Sequence, residues 1–371
     1  MNRSERTVRE LLALVDVEVG GPDPWDIEVH DPRFYQRVLA TGPLGLGESY
    51  MDGWWDCEHL DVLIHRLVRG GLEEKVRPLR LLLPVAWAML VNLQSRARAF
   101  RIGEHHYDLG NELYRRMLDK RMIYTCGYWK DAQDLDQAQE AKLDLVCRKI
   151  GLQPGMRVLD IGCGWGGFAR FAAERYGAQV VGITVSREQL TLGQELSTGL
   201  EVELRYQDYR DVDEPFDRIV SLGMFEHVGP KNYRTYMGVV RRCLAEDGLF
   251  LLHTIGTNID ATAADPWTDK YIFPGGVLPT PAQMGRAAQG ALVLEDWHNF
   301  GTDYDPTLMA WMANVDRHWD ELEALGYDRR FYRMWRYFLT TAAGSFRARR
   351  NQLWQLVYSP GGVDGGYRSV R

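Results

Sequence analysis

The chain has 371 residues, of which 45% are hydrophobic and 26% are charged, the composition of a globular enzyme long enough for two domains. Its formal net charge of −7 argues against nucleic acid as a partner, and it would repel an anionic membrane surface except where basic residues cluster. The five cysteines are widely spaced without a C-x-x-C pair, so the sequence predicts neither a disulfide framework nor a metal site and fits a reducing cytoplasm.

Residues 1–90 are predicted to form a smaller, mostly helical domain, whose beginning lacks the apolar core of a signal peptide. A strand-like piece at 27–30 precedes Asp31 and Pro32, which begin a helix with the aspartate as the N-cap and the proline in the first turn. The segment 42–55 is rich in glycine and aromatic residues, and it is predicted to be a loop.

The longest apolar stretch covers residues 81–93 and is broken by Pro84 and Asn92. It is too short to span a bilayer, which takes about 20 residues, so it is predicted to be either a core helix or an interfacial helix. Five arginines flank it and form either a basic membrane-binding patch or a solvated helix face: Arg77, Arg80, Arg96, Arg98 and Arg101. Residues 91–108 are predicted to be a linker.

Residues 109–371 are predicted to form an α/β domain with a doubly wound, mainly parallel sheet, because strand-like and helical segments alternate along the chain. The predicted strands are 157–161, 179–184, 201–207, 218–222 and 249–254. Ligands of such sheets bind outside the carboxyl ends of the strands.

The alternation stops after the fifth predicted strand. Residues 257–290 are rich in proline and glycine and are predicted to be a long functional loop or lid. Helical patterns at 306–325 and 328–349 and a strand-like segment at 353–358 complete the chain.

A glycine-rich turn follows the first strand of this domain. Residues 158–167 read VLDIGCGWGG, so an apolar run ends beside Asp160 and the chain then turns through glycines into a helical pattern. Glycines allow the backbone to approach a ligand closely, and the helix start offers free N–H groups. The spacing differs from the dinucleotide pattern G-x-G-x-x-G and resembles the loop of S-adenosylmethionine (SAM) methyltransferases. A dinucleotide-type or purely structural turn is the alternative.

Polar residues at the ends of the following strands extend this predicted ligand site. Thr184, with Gln189 one helical turn later, can form uncharged hydrogen bonds to a ribose. Asp208 ends the third strand, where an acid commonly accepts a hydrogen bond from an adenine amino group, and its alternative role is a helix cap. Glu226 and His253 follow the fourth and fifth strands and are predicted to face the same cleft.

Several longer blocks make the chain resemble the bacterial cyclopropane-fatty-acyl-phospholipid synthase family over nearly its whole length. They include LGLGESYMDGWW at 44–55, HYDLGN at 106–111, GMFEHVGPK at 223–231, KYIFP at 270–274 and EDWHNFGTDYDPTLMAW at 295–311. The resemblance implies a class I SAM-methyltransferase sheet with a smaller helical N-terminal domain. It also implies a reaction in which SAM methylates the cis double bond of a phospholipid acyl chain, and loss of a proton from the new methyl closes a cyclopropane ring.

The resemblance also implies the residues of the site and the partners of the enzyme. A bicarbonate ion is expected to act as the base, held by Cys126, Glu226, His253, the backbone of Ile255, and Tyr304. The expected SAM contacts are Tyr124, Thr125, Asp160, Gly162, Gly164, Gly166, Thr184, Gln189, Gln207 and Asp208. The expected partners are an unsaturated phospholipid and the phospholipid bilayer. A cytoplasmic homodimer is expected to contact that bilayer peripherally, at the inner face of the membrane.

Three other functions remain open at this stage. The same site could deliver a methyl-branched or methylene fatty acid, if the intermediate cation loses a different proton or shifts a hydride. A related scaffold could methylate the nitrogen of a small molecule, although such a substrate needs no bicarbonate. A non-catalytic SAM- or lipid-binding protein is the third alternative.

Overall fold

The computed structural model describes residues 1–72, 110–259 and 265–371. The predicted linker, the apolar stretch 81–93 and its flanking arginines lie outside the described residues, as do both predicted domain boundaries. Those interpretations therefore stay predictions.

The described residues form the following helices and strands. The helices are α1 (Arg3–Ala13), α2 (Arg33–Thr41), α3 (Pro43–Met51), α4 (Leu60–Arg69), α5 (Asn111–Met117), α6 (Leu135–Lys149), α7 (Gly167–Tyr176), α8 (Arg187–Leu196), α9 (Tyr233–Cys243), α10 (Pro266–Tyr271), α11 (Pro281–Ala288), α12 (Tyr304–Arg317), α13 (Trp319–Ala324) and α14 (Arg329–Arg347). The strands are β1 (Glu28–Val29), β2 (Trp55–Asp56), β3 (Arg157–Ile161), β4 (Gln179–Thr184), β5 (Val202–Tyr206), β6 (Phe216–Leu222), β7 (Leu244–Thr257), β8 (Val293–Asn299) and β9 (Asn351–Ser359).

The chain divides into two compact units. The first contains Met1–Val91, Thr262–Pro274 and Tyr304–Asn351, and the second contains Asn92–Ala261, Gly275–Asp303 and Gln352–Arg371. The helices α12 to α14 lie between β8 and β9 in the sequence, yet they cluster with the N-terminal helices.

Close helix packing and a buried ion-pair group hold the first unit together. A Cβ atom added to Gly344 on α14 would lie 2.5 Å from the backbone oxygen of Asp61 on α4. The backbones of these two helices therefore pack closely against each other at this point. Three residues further along α14, the Arg347 guanidinium pairs with Asp61 and with Asp305 of α12, each at 2.7 Å. The side chain of Asp61 is only 9% exposed, so this arginine neutralises a nearly buried carboxylate.

The prediction of a loop over 42–55 was wrong, because most of this segment forms the helix α3. Pro43 occupies the first turn of α3, a position where its missing N–H costs nothing. A Cβ atom on Gly47 would lie 2.4 Å from the ring of Trp267, and one on Gly45 would lie 2.6 Å from the backbone oxygen of Arg37. These glycines therefore serve close packing of a helix rather than chain flexibility.

The second unit contains a seven-stranded sheet in the order β5-β4-β3-β6-β7-β9-β8. The strands β3 to β7 pair in parallel, whereas β8 pairs with β9 in the antiparallel direction. Apolar side chains of α6 and α7 pack on one face and those of α9 and α11 on the other, which confirms the doubly wound α/β class. The five parallel strands lie where the sequence predicted them, to within a few residues at each end.

Two features of this region differ from the sequence prediction. The segment 257–290 is not one long loop, because it contains α10 and α11; Asp265 caps the first, and Thr280 forms a capping box with Gln283 at the second. The strand β8 was missed because its residues do not alternate apolar and polar.

The predicted helix 306–325 is interrupted at His318, between α12 and α13.

Candidate active site

The glycine-rich turn lies between β3 and α7 and adopts a conformation that requires glycine. Gly162, Gly164 and Gly166 have φ angles of +82°, +56° and +74°, which residues with side chains rarely adopt. A Cβ atom on Gly162 would lie 2.7 Å from Met224. At Gly164 the nearest atom to an added Cβ is the Gln189 amide nitrogen, 4.0 Å away, so the backbone faces open space beside that amide.

The two residues predicted to bind a ribose meet at the end of β4. The Thr184 hydroxyl lies 3.3 Å from Oε1 of Gln189 and accepts a hydrogen bond from the backbone N–H of Ser186. The Ser186 hydroxyl in turn accepts from the backbone N–H of Gln189 at the start of α8. This local network fixes both side chains next to the space beside Gly164.

The end of β5 carries the predicted adenine-binding residues. The backbone N–H of Gln207 donates to the carbonyl of Thr184, which ties this strand end to that of β4. The Asp208 carboxylate accepts from the backbone N–H of Arg210 at 2.9 Å and pairs with its guanidinium at 3.2 Å. Asp208 is therefore a cap of the short helical turn Tyr209–Asp211, the alternative role noted from the sequence. Each carboxylate oxygen has further lone pairs, so capping and ligand binding are compatible.

Asp160 near the end of β3 is a buried carboxylate without full hydrogen bonding. It is 1% exposed, and its Oδ1 atom has no hydrogen-bond partner among the described residues. Burial raises the pKa of Asp160 to about 7, and the charge of Lys142 opposes that shift. The carboxyl group is thus close to its titration point at neutral pH.

The segment Tyr124-Thr125-Cys126 is held by side chains from α6. The Lys142 ammonium donates to the Thr125 hydroxyl at 2.7 Å, and the Gln139 amide donates to the Thr125 carbonyl at 2.7 Å. Both donors are completely buried. Tyr124 packs its ring edge-on against Tyr114, and the buried Cys126 thiol lies 3.2 Å from the Gly127 carbonyl oxygen.

This segment also touches the turn after β6, because a Cβ atom on Gly223 would lie 2.6 Å from the Thr125 methyl group. Three residues further on, Glu226 Oε1 accepts from the backbone N–H of Ile255 at 2.6 Å. Its Oε2 atom is buried without a partner among the described residues, while the Thr254 hydroxyl donates to the Ile255 carbonyl. Burial raises the pKa of Glu226 to about 7. The backbone N–H of Ile255 thus donates to Glu226. Through this hydrogen bond Ile255 is connected to another of the predicted bicarbonate ligands.

His253 lies on β7, two residues before Ile255, and is completely buried. Burial lowers the pKa of His253 well below its usual value, and the charges of Lys142 and Lys149 add to that effect, so the ring is neutral. The amide nitrogen of Gln355 lies 3.3 Å from Nδ1, whereas Nε2 has no partner among the described residues.

Tyr304 belongs to the first compact unit, where its ring stacks on Phe346 with centroids 4.4 Å apart. Its part in a bicarbonate site stays a prediction from the resemblance. The other four predicted residues, Cys126, Glu226, His253 and Ile255, all belong to the second unit, as do the ten predicted SAM contacts.

Sequence reasoning missed three buried polar residues of this site: Gln139, Lys142 and Gln355. The available signal was polarity at apolar positions. Gln139 and Lys142 are three residues apart and share a face of α6 with buried Leu135 and Val146. Gln355 lies between the apolar residues Trp354 and Leu356 of β9.

The described parts of the chain contain neither a metal-ligand cluster nor a disulfide. No group of three or more His, Cys, Asp or Glu side chains there could hold a metal ion. All five cysteines are buried and form no disulfide. Among the helices of residues 1–72, 110–259 and 265–371, none combines the length and apolarity needed to cross a bilayer.

Comparisons with known proteins agree on one family. A sequence model of mycolic acid cyclopropane synthetases matches residues 94–356. A cyclopropane-fatty-acyl-phospholipid synthase of Escherichia coli is 53% identical over 99% of this chain and 96% of its own length. A tuberculostearic acid methyltransferase of Mycobacterium tuberculosis is 33% identical over 89% of this chain and 82% of its own. The crystal structure of a mycolic acid cyclopropane synthase, complexed with S-adenosylhomocysteine and CTAB, matches with a TM-score of 0.65 and 33% identity, over 70% of this chain and 97% of that one.

Proposed function

This chain belongs to the mycolic acid cyclopropane synthetase family, and from that premise we propose that it transfers a methylene group from SAM to the cis double bond of unsaturated phospholipid acyl chains. The identity of 53% to the Escherichia coli synthase, over nearly all of both chains, supports the phospholipid substrate. One feature of the site carries the proposal: Glu226 Oε2 and His253 Nε2 are buried without a partner among the described residues. Glu226 follows β6, and the last residue of that strand, Leu222, pairs with His253 on the adjacent strand β7.

The residues around the glycine-rich turn fit SAM. The turn leaves open space beside Gly164, and Thr184 and Gln189 offer uncharged hydrogen bonds there for a ribose. SAM supplies an electrophilic methyl group on a positively charged sulfur. Because an alkene is a weak nucleophile, the task of the protein is to hold the methyl in line with the double bond and to exclude water.

The unpaired atoms of Glu226 and His253 fit a bicarbonate ion. Bicarbonate has one O–H donor and several acceptor oxygens, so it can donate to Glu226 Oε2 and accept from His253 Nε2–H at the same time. Its chemistry is to accept the proton that the transferred methyl loses on ring closure. Glu226 makes the ion more basic by accepting its proton, and the shared proton removes the repulsion between two anions. We propose Cys126 and Tyr304 as further ligands of the ion.

The atoms of the proposed reaction balance. The alkene π electrons form a bond to the methyl carbon while its bond to sulfur breaks, which leaves a carbocation on the acyl chain. The methyl loses one proton, and the electron pair of that C–H bond closes the ring. Water at the site would trap the cation, and the complete burial of His253 supports a dry site.

A second candidate keeps SAM and the double bond but ends in a methyl-branched or methylene chain. The relative of Mycobacterium tuberculosis named a tuberculostearic acid methyltransferase supports it, with 33% identity. The higher identity to the Escherichia coli synthase favours cyclopropane formation.

The substrate class implies where the enzyme acts. Acyl chains of phospholipids lie inside a bilayer, so we propose that the enzyme is cytoplasmic and contacts the inner face of the membrane peripherally. We propose a homodimer because two linked membrane contacts raise avidity without any new interaction.

Isotope labelling tests the proposed function. The protein is expressed in a bacterial host that lacks this activity. The culture is fed methionine with a fully deuterated methyl group, and the phospholipid acyl chains are then analysed by mass spectrometry and NMR. Cyclopropane chains that retain two of the three deuterons are expected, because one is lost as the ring closes.

Retention of all three deuterons would show a hydride shift and a methyl-branched product, which contradicts the proposal. NMR separates the ring from a methylene group of equal mass. A culture that expresses Gly164→Val supplies the background.

A further inference from the structure

The two ring nitrogens of His253 have different polar surroundings. Its Nδ1 lies 3.3 Å from the amide nitrogen of Gln355, and its Nε2 is buried without a partner among the described residues. Both side chains are completely excluded from solvent. Water therefore does not decide which nitrogen carries the proton, and the protein must do so.

A neutral imidazole has one N–H donor and one acceptor nitrogen, so the partner of one nitrogen sets the role of the other. The ring of His253 is neutral because burial lowers its pKa well below the usual value. An amide nitrogen only donates, so Nδ1 must accept from Gln355. The proton of the ring then sits on Nε2, and the nitrogen without a partner is a donor.

We propose that Gln355 is a positioning residue that fixes His253 as the Nε2–H tautomer, so that the ring presents a hydrogen-bond donor to the bicarbonate ion. This inference rests on the proposed function for its ligand. The tautomer itself is a property of the ligand-free protein.

Gln355 lies beside further polar groups on the neighbouring strand. β9 lies between β7 and β8, and Gln355 pairs directly with His298 across the β8–β9 ladder. Nδ1 of His298 lies 3.0 Å from the ammonium nitrogen of Lys149 on α6. The Phe300 ring contacts both imidazoles, with centroids 5.9 Å from His253 and 4.9 Å from His298.

A row of polar groups therefore crosses three neighbouring strands and ends at a helix. Lys149 is completely buried, and its positive charge helps to lower the pKa of His253. A ring with protons on both nitrogens is therefore disfavoured further. The row supports the neutral ring that the tautomer argument needs. It also gives a role to the buried amide of Gln355 on β9.

The tautomer can be measured directly by NMR. The full-length protein is labelled with 15N-histidine, and two-bond 1H–15N correlations identify the protonated nitrogen of each ring; His253 is assigned by its disappearance in His253→Asn. The expected wild-type pattern has the proton on Nε2. A proton on Nδ1 would mean that the amide presents its oxygen to the ring, and it would overturn the inference.

Gln355→Met removes the amide while keeping side-chain length, so His253 should lose its single tautomer. Its affinity for 13C-labelled bicarbonate, titrated by NMR with S-adenosylhomocysteine bound, should fall about tenfold, the effect of one lost hydrogen bond. The affinity for S-adenosylhomocysteine should stay unchanged. Unchanged tautomer and bicarbonate affinity in this variant would also overturn the inference.

Gln352→Met is the matched control. Gln352 is a buried amide on the same strand, but its Oε1 accepts from the Asn299 amide at 2.9 Å instead of facing His253. The control should keep the wild-type tautomer. If the wild type shows Nε2–H but no bicarbonate binding, the proposed base fails while the tautomer assignment stands, so the two ideas fail separately. If Gln355→Met does not fold, the wild-type tautomer still decides.

Discussion

Replacing Lys142 by methionine is expected to stabilise the folded protein at neutral pH while slowing its turnover. Lys142 is completely buried and donates a hydrogen bond to the Thr125 hydroxyl at 2.7 Å. Burial lowers the pKa of Lys142 from 10.5 to about 8, although the charges of Asp119, Cys126 and Asp160 oppose this shift. The folded protein therefore carries an ammonium group where an uncharged group would be more stable.

The magnitude follows from the pKa. A lysine whose pKa falls from 10.5 to about 8 on folding costs about 3 kcal/mol at neutral pH, because the unfolded chain binds its proton more tightly. Methionine of similar length removes that cost and loses one hydrogen bond, worth about 1 kcal/mol. Asp160 limits the further loss, because a carboxyl group with a pKa of about 7 can take up a proton when the lysine charge is gone. The net gain is about 2 kcal/mol.

The size of the stability gain should depend on pH. A folded pKa below the unfolded pKa means that the cost is fully present below about pH 8 and disappears as the pH rises towards 10.5. Urea denaturation should therefore show Lys142→Met as the more stable protein at about pH 7. At about pH 10 the two proteins should be about equally stable, because the remaining cost of the lysine is then close to the value of the lost hydrogen bond. A stability difference that does not change with pH would refute the reasoning.

Lys149→Met is the control for stability on the same helix. Burial lowers the pKa of Lys149 to about 7, so this variant should show the same pH dependence, with a somewhat larger gain at neutral pH. Turnover of Lys142→Met should fall, because Thr125 loses the donor that holds it beside Cys126. A variant that gains stability and loses rate would show that the buried charge is kept for function.

Three further outcomes are expected. Glu226→Gln should bind SAM normally in calorimetry but turn over slowly, because the amide loses the charge that makes bicarbonate basic. The wild-type rate should rise with pH through about 7 as Glu226 ionises, and a rate unaffected by removal of dissolved carbonate would contradict this role. Gly164→Val should abolish SAM binding because its side chain fills the ligand space, whereas Gly151→Val, at the same φ of +56° with no atom nearby, should retain it. Arg347→Met should lower the free energy of unfolding by about 2 kcal/mol because it leaves the nearly buried Asp61 unpaired, whereas replacing the exposed Arg33, paired with Asp31, should change nothing measurable.

The parallel sheet and the glycine-rich turn could be predicted because their signals are local. The strands β3, β4, β6 and β7 each contain adjacent apolar residues, and β5 alternates apolar and polar residues. The order of Asp160, Gly162 and Gly164 is visible in ten residues of sequence. Glu226 and His253 could be proposed on the same local basis, because each follows or ends a predicted strand and parallel strands end at one edge.

The failures arise where packing between distant segments decides the structure. The glycines of α3 were read as a loop because the sequence does not show that the Trp267 ring fills the space beside Gly47. β8 was missed because Asp296 and His298 are polar, yet each has a partner far away in sequence, Arg371 for the aspartate and Lys149 for the histidine. Polarity at these positions reflects specific partners rather than solvent.

The same reasoning explains why the supporting residues of the site escaped sequence analysis. Gln139, Lys142 and Gln355 act through contacts to Thr125 and His253 that form only after the sheet and α6 are assembled. A buried polar atom without a partner costs about 1–3 kcal/mol, and Glu226 Oε2 and His253 Nε2 are two such atoms within the part of the chain that the structure describes. A ligand that both donates and accepts would recover that free energy on binding. The proposed assignment of the base therefore rests on these two atoms and not on the glycine-rich turn, which many methyltransferases share.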